Sequence, residues 1–427
     1  MAWASGYNPG ARPTRRKTAL SNRPGNGTLI RKILVLALIS LCAACGPSTG
    51  GSENEGSGAN LPEITAGDSG RSSGAAGSSE TTSETTRAPG GGTTRIEAEV
   101  VASNLEVPWS FAFLPGGDAL VTERDSGRLL RVSASGDVRE IQTLPEQGAG
   151  EGGLLGVAVS LDYERDGYIY AYYTTQQDNR VVRFRMGERP QPILTGIPVN
   201  SFHDGGRIKF GPDGMLYVTT GDAGDTANSQ DRSSLGGKIL RLTPDGGVPE
   251  DNPSPNSPVY SYGHRNVQGL AWDAEGQLFA SEFGENTWDE VNLIRPGGNY
   301  GWPEYEGDGG EEAEADGFIN PVTTWPTSQA SPSGAAILVD GAIPQWEGDL
   351  FVTALRGECL WHLELDENGN VIGREPLLRG DAGRIRDVAQ APDGSLWIST
   401  SNHDGRGVPD ASDDRIIRLG PAGTSND

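Results

Sequence analysis

His203 stands in the run His203-Asp204-Gly205-Gly206. Further polar clusters, Asp222-Ala223-Gly224-Asp225, Gly284-Glu285-Asn286 and Ser401-Asn402-His403-Asp404, follow apolar runs elsewhere in the chain. An imidazole has the ordinary pKa to take up a proton near neutral pH, so His203 could serve a reaction that draws a proton from a hydroxyl. Gly205 and Gly206 leave room for a bulky ligand to approach. Arg384 and Arg386, two apart in Gly383-Arg384-Ile385-Arg386, would point the same way from a strand, and paired guanidinium groups suit a carboxylated ligand. Taken alone, His203 is more readily a structural loop residue than a catalytic one, and the two arginines can be read as a solvated strand face.

The remaining composition narrows the chemistry. Four histidines, His203, His264, His362 and His403, argue against a multi-histidine metal cluster. Of the three cysteines, Cys42 and Cys45 lie in the leader, so Cys359 is the one thiol of the folded part and no disulfide framework or cysteine metal site is possible. Oxygen-ligated metals stay open. The formal net charge of -24 argues against nucleic acid and against an anionic membrane surface, both of which need clustered Lys and Arg.

The chain divides before any scaffold begins. Arg31 and Lys32 precede the apolar run Ile33 to Ala44, the length of a signal-peptide core and too short to span a bilayer. The run ends Leu41-Cys42-Ala43-Ala44-Cys45-Gly46, which resembles a bacterial lipoprotein processing site with Cys45 as the lipidated residue. Residues 1–45 are therefore expected to be an export signal, with the protein held at the cell surface or in the periplasm by a lipid anchor at Cys45. Residues 46–93 are rich in Gly, Ser and Thr, and with hardly any large apolar side chain they read as a flexible tether. The folded domain is expected over 94–420 and a flexible tail over 421–427.

Within 94–420 the pattern is all-β, and one unit recurs: an apolar strand, a turn of Pro-Asp-Gly type, a second strand and a polar end. The copies are SFAFLPGGDALVTER from Ser110, GVAVSLDYERDGYIYAYYTT from Gly156, RIKFGPDGMLYVTTGD from Arg207, GLAWDAEGQLFASEFG from Gly269, AILVDGAIPQWEGDLFVTALRG from Ala336 and DVAQAPDGSLWISTSN from Asp387. Their second strands begin near Leu120, Ile169, Leu216, Leu278, Leu350 and Leu396, about 46 to 72 residues apart, which suits a four-stranded blade with variable loops. The spacing predicts a six-bladed β-propeller. A propeller must close to hide its strand edges, so the strand-like segments Thr94 to Ala102 and Arg415 to Leu419 are expected to share one blade. The polar clusters then fall on loops at one mouth of the ring. Trp272, Trp302, Trp361 and Trp397 are expected to pack between blades, and Cys359 to be a buried filler.

Several stretches resemble, in order and across nearly the whole propeller, the glucose/sorbosone dehydrogenases that use pyrroloquinoline quinone, in particular the soluble aldose sugar dehydrogenases. They are EGGLLGVAV from Glu151, HDGGRIKFGPDGMLYVTTGD from His203, LGGKILRL from Leu235, YGHRNVQGLAW from Tyr262, SEFGENTWDEVNLIRPGGNYGWP from Ser281, ALRG from Ala354 and GRIRDV from Gly383. The resemblance implies that His203 is the catalytic base and that Arg384 and Arg386 hold the cofactor's carboxylates. It further implies that Arg265 and Asn266 contact the cofactor near its reactive carbonyls. Arg356 falls where one branch of the family carries lysine, and Glu151 where that branch has glutamine touching the site. The resemblance also implies a calcium ion held by the backbone carbonyls of Gly284 and Glu285, the second of which is usually proline, and in some relatives a structural calcium on Glu290 and the carbonyl of Tyr300. Calcium favours such oxygen donors on irregular loops.

The expectation is a cell-surface enzyme that oxidises aldoses at the anomeric carbon to lactones, with pyrroloquinoline quinone and calcium, and passes electrons to an acceptor the sequence does not name. Two other classes stay open: a cofactor-free extracellular binding propeller, and a calcium-dependent lactonase, which would need side-chain carboxylates converging on one metal.

Overall fold

Each of the six repeated hairpins forms the two inner strands of a four-stranded antiparallel sheet in the computed structural model, which describes residues 83–85 and 95–422. The export signal expected over 1–45, nearly all of the tether expected over 46–93 and most of the tail expected over 421–427 lie outside these residues. Blade one comprises Pro108–Phe113, Ala119–Glu123, Arg128–Val132 and Val138–Thr143; blade two Leu154–Val159, Ile169–Thr174, Asn179–Phe184 and Gln191–Ile197. Blade three comprises Ile208–Phe210, Leu216–Thr219, Lys238–Leu242 and Val259–Tyr262; blade four Val267–Trp272, Leu278–Glu282, Trp288–Ile294 and Thr323–Pro326. Blade five comprises Pro332–Ile337, Leu350–Ala354, Cys359–Leu365 and Val371–Leu377. Blade six takes Ile385–Gln390, Leu396–Thr400 and Ile416–Pro421 from the C-terminal part and Arg95–Ala102 from the N-terminal part.

That last pairing closes the ring, with Ala98 opposite Leu419 and Val100 opposite Ile417. Ser83–Thr85 adds a short antiparallel strand outside Arg95–Ala102. The predicted starts of the second strands match the structure, with a one-residue difference at Ala119. Turns of the Pro-Asp-Gly type need a residue at positive φ, and Gly214 (φ 76) and Gly394 (φ 80) supply it.

The apolar core is divided among the joints of the ring. Six buried clusters occur among the described residues, each contributed mainly by two neighbouring blades, such as Trp346, Phe351 and Leu360 of blade five against Ile385, Leu396 and Ile398 of blade six. Trp361 and Trp397 join these clusters as expected. Cys359 is fully buried, and its burial pushes the thiol up to about 11.

Down the middle, the inner strands enclose a channel closed by one fully buried guanidinium. Arg207 donates to Asp387 Oδ2 (2.7 Å), Ser110 Oγ (2.8 Å) and the Gln268 carbonyl (2.8 Å), and lies 4.4 Å from the centre of the Trp109 ring. A buried charge persists only when it is paired and hydrogen-bonded, and these partners come from blades one, four and six. Arg207 is thus the floor on which the loop-side mouth rests.

Candidate functional site

His203 is fixed at backbone and side chain alike. Its φ of 61° is left-handed, a conformation that a side chain bearing Cβ adopts only when its surroundings impose it. The His203 N–H donates to Glu151 Oε2 (3.0 Å), and its carbonyl accepts from the Ala223 N–H (3.2 Å). Gly221 passes so close beneath that an added Cβ would lie 1.9 Å from the His203 carbonyl oxygen.

On the side chain, Nδ1 meets Asp222 Oδ1 at 2.7 Å, and Asp222 Oδ2 accepts from the Trp302 indole at 2.9 Å. Burial acts to raise the Asp222 pKa, but the bonds from His203, Gly224 and Trp302 outweigh it and hold the carboxyl below its ordinary value. An ionised Asp222 requires the proton on Nδ1, which leaves Nε2 as a lone-pair base; Nε2 makes no hydrogen bond among the described residues. His203 and the carboxylate that orients it thus both face one cleft.

The cleft runs from this base to a cluster of arginines. Its His203 end is lined by Glu151, Phe202, Asp222, Arg265, Glu285 and Trp302, and its other end by Trp109, Arg124, Gln268, Leu355, Arg386 and Asp404; Gly150, Glu151 and Arg406 belong to both. The arginine end holds a cavity of ≈ 200 Å³ and the His203 end one of ≈ 710 Å³, together room for a compact multi-ring ligand.

Arg384 and Arg386 converge as their alternation predicts. Both guanidinium groups face Asp404 Oδ2, at 2.7 Å and 3.5 Å, and Arg386 also donates to Gln268 Oε1 at 3.0 Å. Burial drives the Arg386 pKa down to about 9 against the opposing pull of Asp404. Glu151 links the two ends, since Oε1 pairs with Arg406 (3.1 Å) while Oε2 takes the His203 amide.

Two donors in the cleft have no acceptor. The Nε of Arg386 and the Nε of Arg265 are buried without a hydrogen-bond partner, a costly condition that a bound acceptor would relieve. Arg265 lies with its guanidinium 5.4 Å from the Trp302 ring centre. Unsatisfied guanidinium donors in a cleft of this size fit a flat, carboxylated ligand.

The other predicted site residues are placed as follows. Asn266 is buried and fixes the loop after His203, its Oδ1 accepting from the Gly205 N–H at 3.0 Å. Arg356 is exposed just past Leu355, and its guanidinium makes no hydrogen bond or ion pair among the described residues. The carbonyls of Gly284 and Glu285 accept no hydrogen bond among those residues, and Glu285 lines the cleft beside His203 and Arg265. Two successive main-chain oxygens left without a donor fit an oxygen-seeking cation.

Glu290 is buried, its oxygens accepting from Asn292 (3.0 Å) and the Gly307 N–H (3.1 Å), and burial together with Glu282 pushes it up to about 8. The Tyr300 ring stacks on His264 at 4.7 Å, and no hydrogen bond joins Tyr300 to Glu290. Of the first pair of expected metal donors, Glu285 lines the cleft and Gly284 precedes it in the same turn.

Several functional side chains were not picked out from the sequence. Asp222 and Asp404 lay in clusters recognised as polar loops, yet nothing local says that one orients His203 and the other neutralises two arginines from 18 and 20 residues away. Trp302, expected to pack between blades, instead bonds Asp222 and faces Arg265, because its loop folds back over the mouth.

The model of the Glucose / Sorbosone dehydrogenase family matches residues 105–416. The chain is 31% identical over 345 residues to Aldose sugar dehydrogenase YliI of Escherichia coli, an alignment covering 73% of this chain and 91% of that one. It is 30% identical over 410 residues to Quinoprotein glucose dehydrogenase B of Acinetobacter calcoaceticus, covering 71% and 85%. Among solved structures, the PQQ-bound form of Aldose Sugar Dehydrogenase from Streptomyces coelicolor superposes with a TM-score of 0.71 at 48% identity, covering 80% of this chain and 99% of that one.

Proposed function

The chain belongs to the glucose/sorbosone dehydrogenase family, and from that premise we propose that it is a quinoprotein that oxidises aldose sugars at the anomeric carbon to lactones, with pyrroloquinoline quinone and calcium. The observation that carries this reading is the single cleft with an oriented base, His203, at one end and buried guanidinium donors lacking an acceptor, on Arg265 and Arg386, along it.

When bound, the quinone supplies an acceptor for the sugar's hydride and calcium a Lewis acid beside it. Arg384 and Arg386 would hold the carboxylates, Arg265 the region nearest the base, and the oxygens of Gly284 and Glu285 the cation. His203 Nε2 accepts the proton of the anomeric hydroxyl as the hydride leaves the adjoining carbon. Asp222 stabilises the imidazolium so formed and returns the ring to the same tautomer. Glu151, anchored by Arg406 and by the His203 amide, presents a carboxylate to the sugar hydroxyls at the point where the two ends of the cleft meet. Electrons then pass to an acceptor outside the chain.

Protein reconstituted with the quinone and calcium should reduce an artificial dye when given aldoses, and His203→Ala should not; sugar-independent dye reduction, or equal rates in both proteins, rejects the reading. Hydrolysis of lactones without the quinone would favour the lactonase, and failure to bind the quinone the binding propeller. A structural calcium on Glu290 and the carbonyl of Tyr300 is the second part of the metal proposal: each Glu290 oxygen accepts one hydrogen bond and keeps a further lone pair for a cation. Export and anchoring at Cys45 complete the proposal: Cys45→Ser should shift the protein from the membrane fraction to the soluble fraction.

A further inference from the structure

The turn that carries Gly284 and Glu285 has its amides gathered on one oxygen. Glu306 Oε1 accepts from the N–H groups of Glu285 (2.6 Å), Asn286 (2.9 Å), Thr287 (2.9 Å) and Trp288 (3.2 Å), while the Gly284 N–H donates to Asp289 Oδ1 (3.0 Å). Asp289 is anchored in turn by the Ser331 N–H at 2.6 Å. The turn is drawn in so tightly that a Cβ on Gly284 would lie 1.7 Å from the Trp288 carbonyl oxygen and 2.8 Å from Glu306 Oε1.

The peptide bonds of this turn are trans. In a planar trans peptide the carbonyl of one residue points opposite to the N–H of the next. Anchoring the Glu285 N–H on Glu306 therefore turns the Gly284 carbonyl away from Glu306, and anchoring the Asn286 N–H does the same to the Glu285 carbonyl. These are the two oxygens that accept no hydrogen bond among the described residues.

From this geometry we infer that Glu306 is a positioning residue, which aims the Gly284 and Glu285 carbonyls at the cofactor's cation. The inference rests on the proposed calcium site and deepens it. It also accounts for the residue at position 285. A proline there would hold the turn through its ring and would lack an N–H; Glu285 has no such ring, and its N–H makes the shortest of the four bonds to Glu306. One carboxylate thereby replaces the stiffness of a ring.

The test is a calcium titration of the full chain in the presence of pyrroloquinoline quinone, followed by the quinone's absorbance, in wild type, Glu306→Ala and Glu306→Gln. Quinone affinity in a calcium chelator and the apo melting temperature serve as controls. Glu306→Ala should weaken the calcium Kd by about 10-fold or more, the scale on which groups behind a metal's ligands act. Glu306→Gln, which keeps an acceptor oxygen without the charge, should weaken it by less. Quinone affinity without calcium, set by Arg384 and Arg386, should stay within about 2-fold, a pattern that general loosening of the fold would not give. Calcium affinities within 2-fold of wild type in both variants overturn the inference while leaving the proposed function standing. A wild type that binds the quinone with no dependence on calcium overturns the inference together with the metal part of that proposal. Should Glu306→Ala lose its cooperative melt, Glu306→Gln decides on the same criterion.

Discussion

The same six inner strands begin at one mouth of the channel and end at the other, and the two mouths differ in kind. Where the strands end, the lining is Phe111 and Phe113, Val157 to Val159, Phe210, Leu270 to Trp272, Ala336 and Ile337, with Lys209 the one basic side chain among them. The Lys209 amine donates to the carbonyls of Leu270 (3.0 Å) and Ala335 (2.8 Å), and burial lowers its pKa to about 8. Where the strands begin, the lining is charged and comes almost wholly from loops: Glu151, His203, Asp222, Arg265, Asp404 and Arg406, with Arg386 from the start of a strand. Arg207 and Asp387 stand between the two. The apolar mouth is written into the repeat itself, so it follows from the requirement that each strand pack against its neighbours. The charged mouth is written into the segments that interrupt the repeat, where packing exerts little constraint and side chains are available for chemistry.

This contrast can be broken by exchanging the effects expected at the two mouths. His203→Ala should lower kcat by about 10²–10⁴-fold, the usual value of a positioned base, with a cooperative melt retained because Gly224 and Trp302 still donate to Asp222. Phe111→Ala, at the opposite mouth, should cost about 3–5 kcal/mol of stability and leave the kcat of the folded enzyme as in wild type. A Phe111→Ala enzyme with strongly reduced kcat would show the two mouths to be coupled.

A smaller effect is expected at the arginine end. Arg386→Met removes a charge-assisted contact worth about 1.5–3 kcal/mol and should weaken quinone affinity by about 10-fold or more. The apo melting temperature should rise, since a buried donor without a partner is removed. Loss of both affinity and stability would make Arg386 a structural residue.

The smallest effect lies far from either mouth, in blade five. His362 bonds Asp349 at 2.7 Å and Glu375 at 3.2 Å, and although burial acts to lower its pKa, these two carboxylates prevail and raise it. A raised folded pKa contributes stability that is fully present below the unfolded value of about 6.5 and is lost as pH climbs through the folded value. The melting temperature of wild type should therefore fall from pH 6 toward pH 8 relative to His362→Gln, with kcat the same in both. Parallel curves would remove His362 from the account.

What could be read from the sequence follows the same division. The hairpins were legible because period-two alternation and Gly turns are local signals, and five of the six second strands begin at the predicted residue. Ring closure was legible because both ends of the folded part carried strand patterns. The pairing of Arg384 and Arg386 was legible from their spacing, and the resemblance supplied His203. What could not be read is which loops meet. Arg406 reaches Glu151, and Trp302 reaches Asp222, across blades far apart in the chain. Glu306 lies in a Pro-Glu-Tyr-Glu-Gly run that carries no sign of four amides on one oxygen. Such contacts are set by the ring's curvature, which no short stretch of sequence contains.

The strand Ile416–Pro421, pairing with Arg95–Ala102 on one side and Leu396–Thr400 on the other, is synthesised after every other described strand of the ring. Until it arrives, the first folded strand has no inner neighbour and blade six is split in two. A chain stalled or clipped before Ile416 would carry His203, Asp222 and every arginine of the cleft, yet lack the segment that draws the two ends of the ring together. The presence of that one closing strand is thereby read out as competence to hold a ligand.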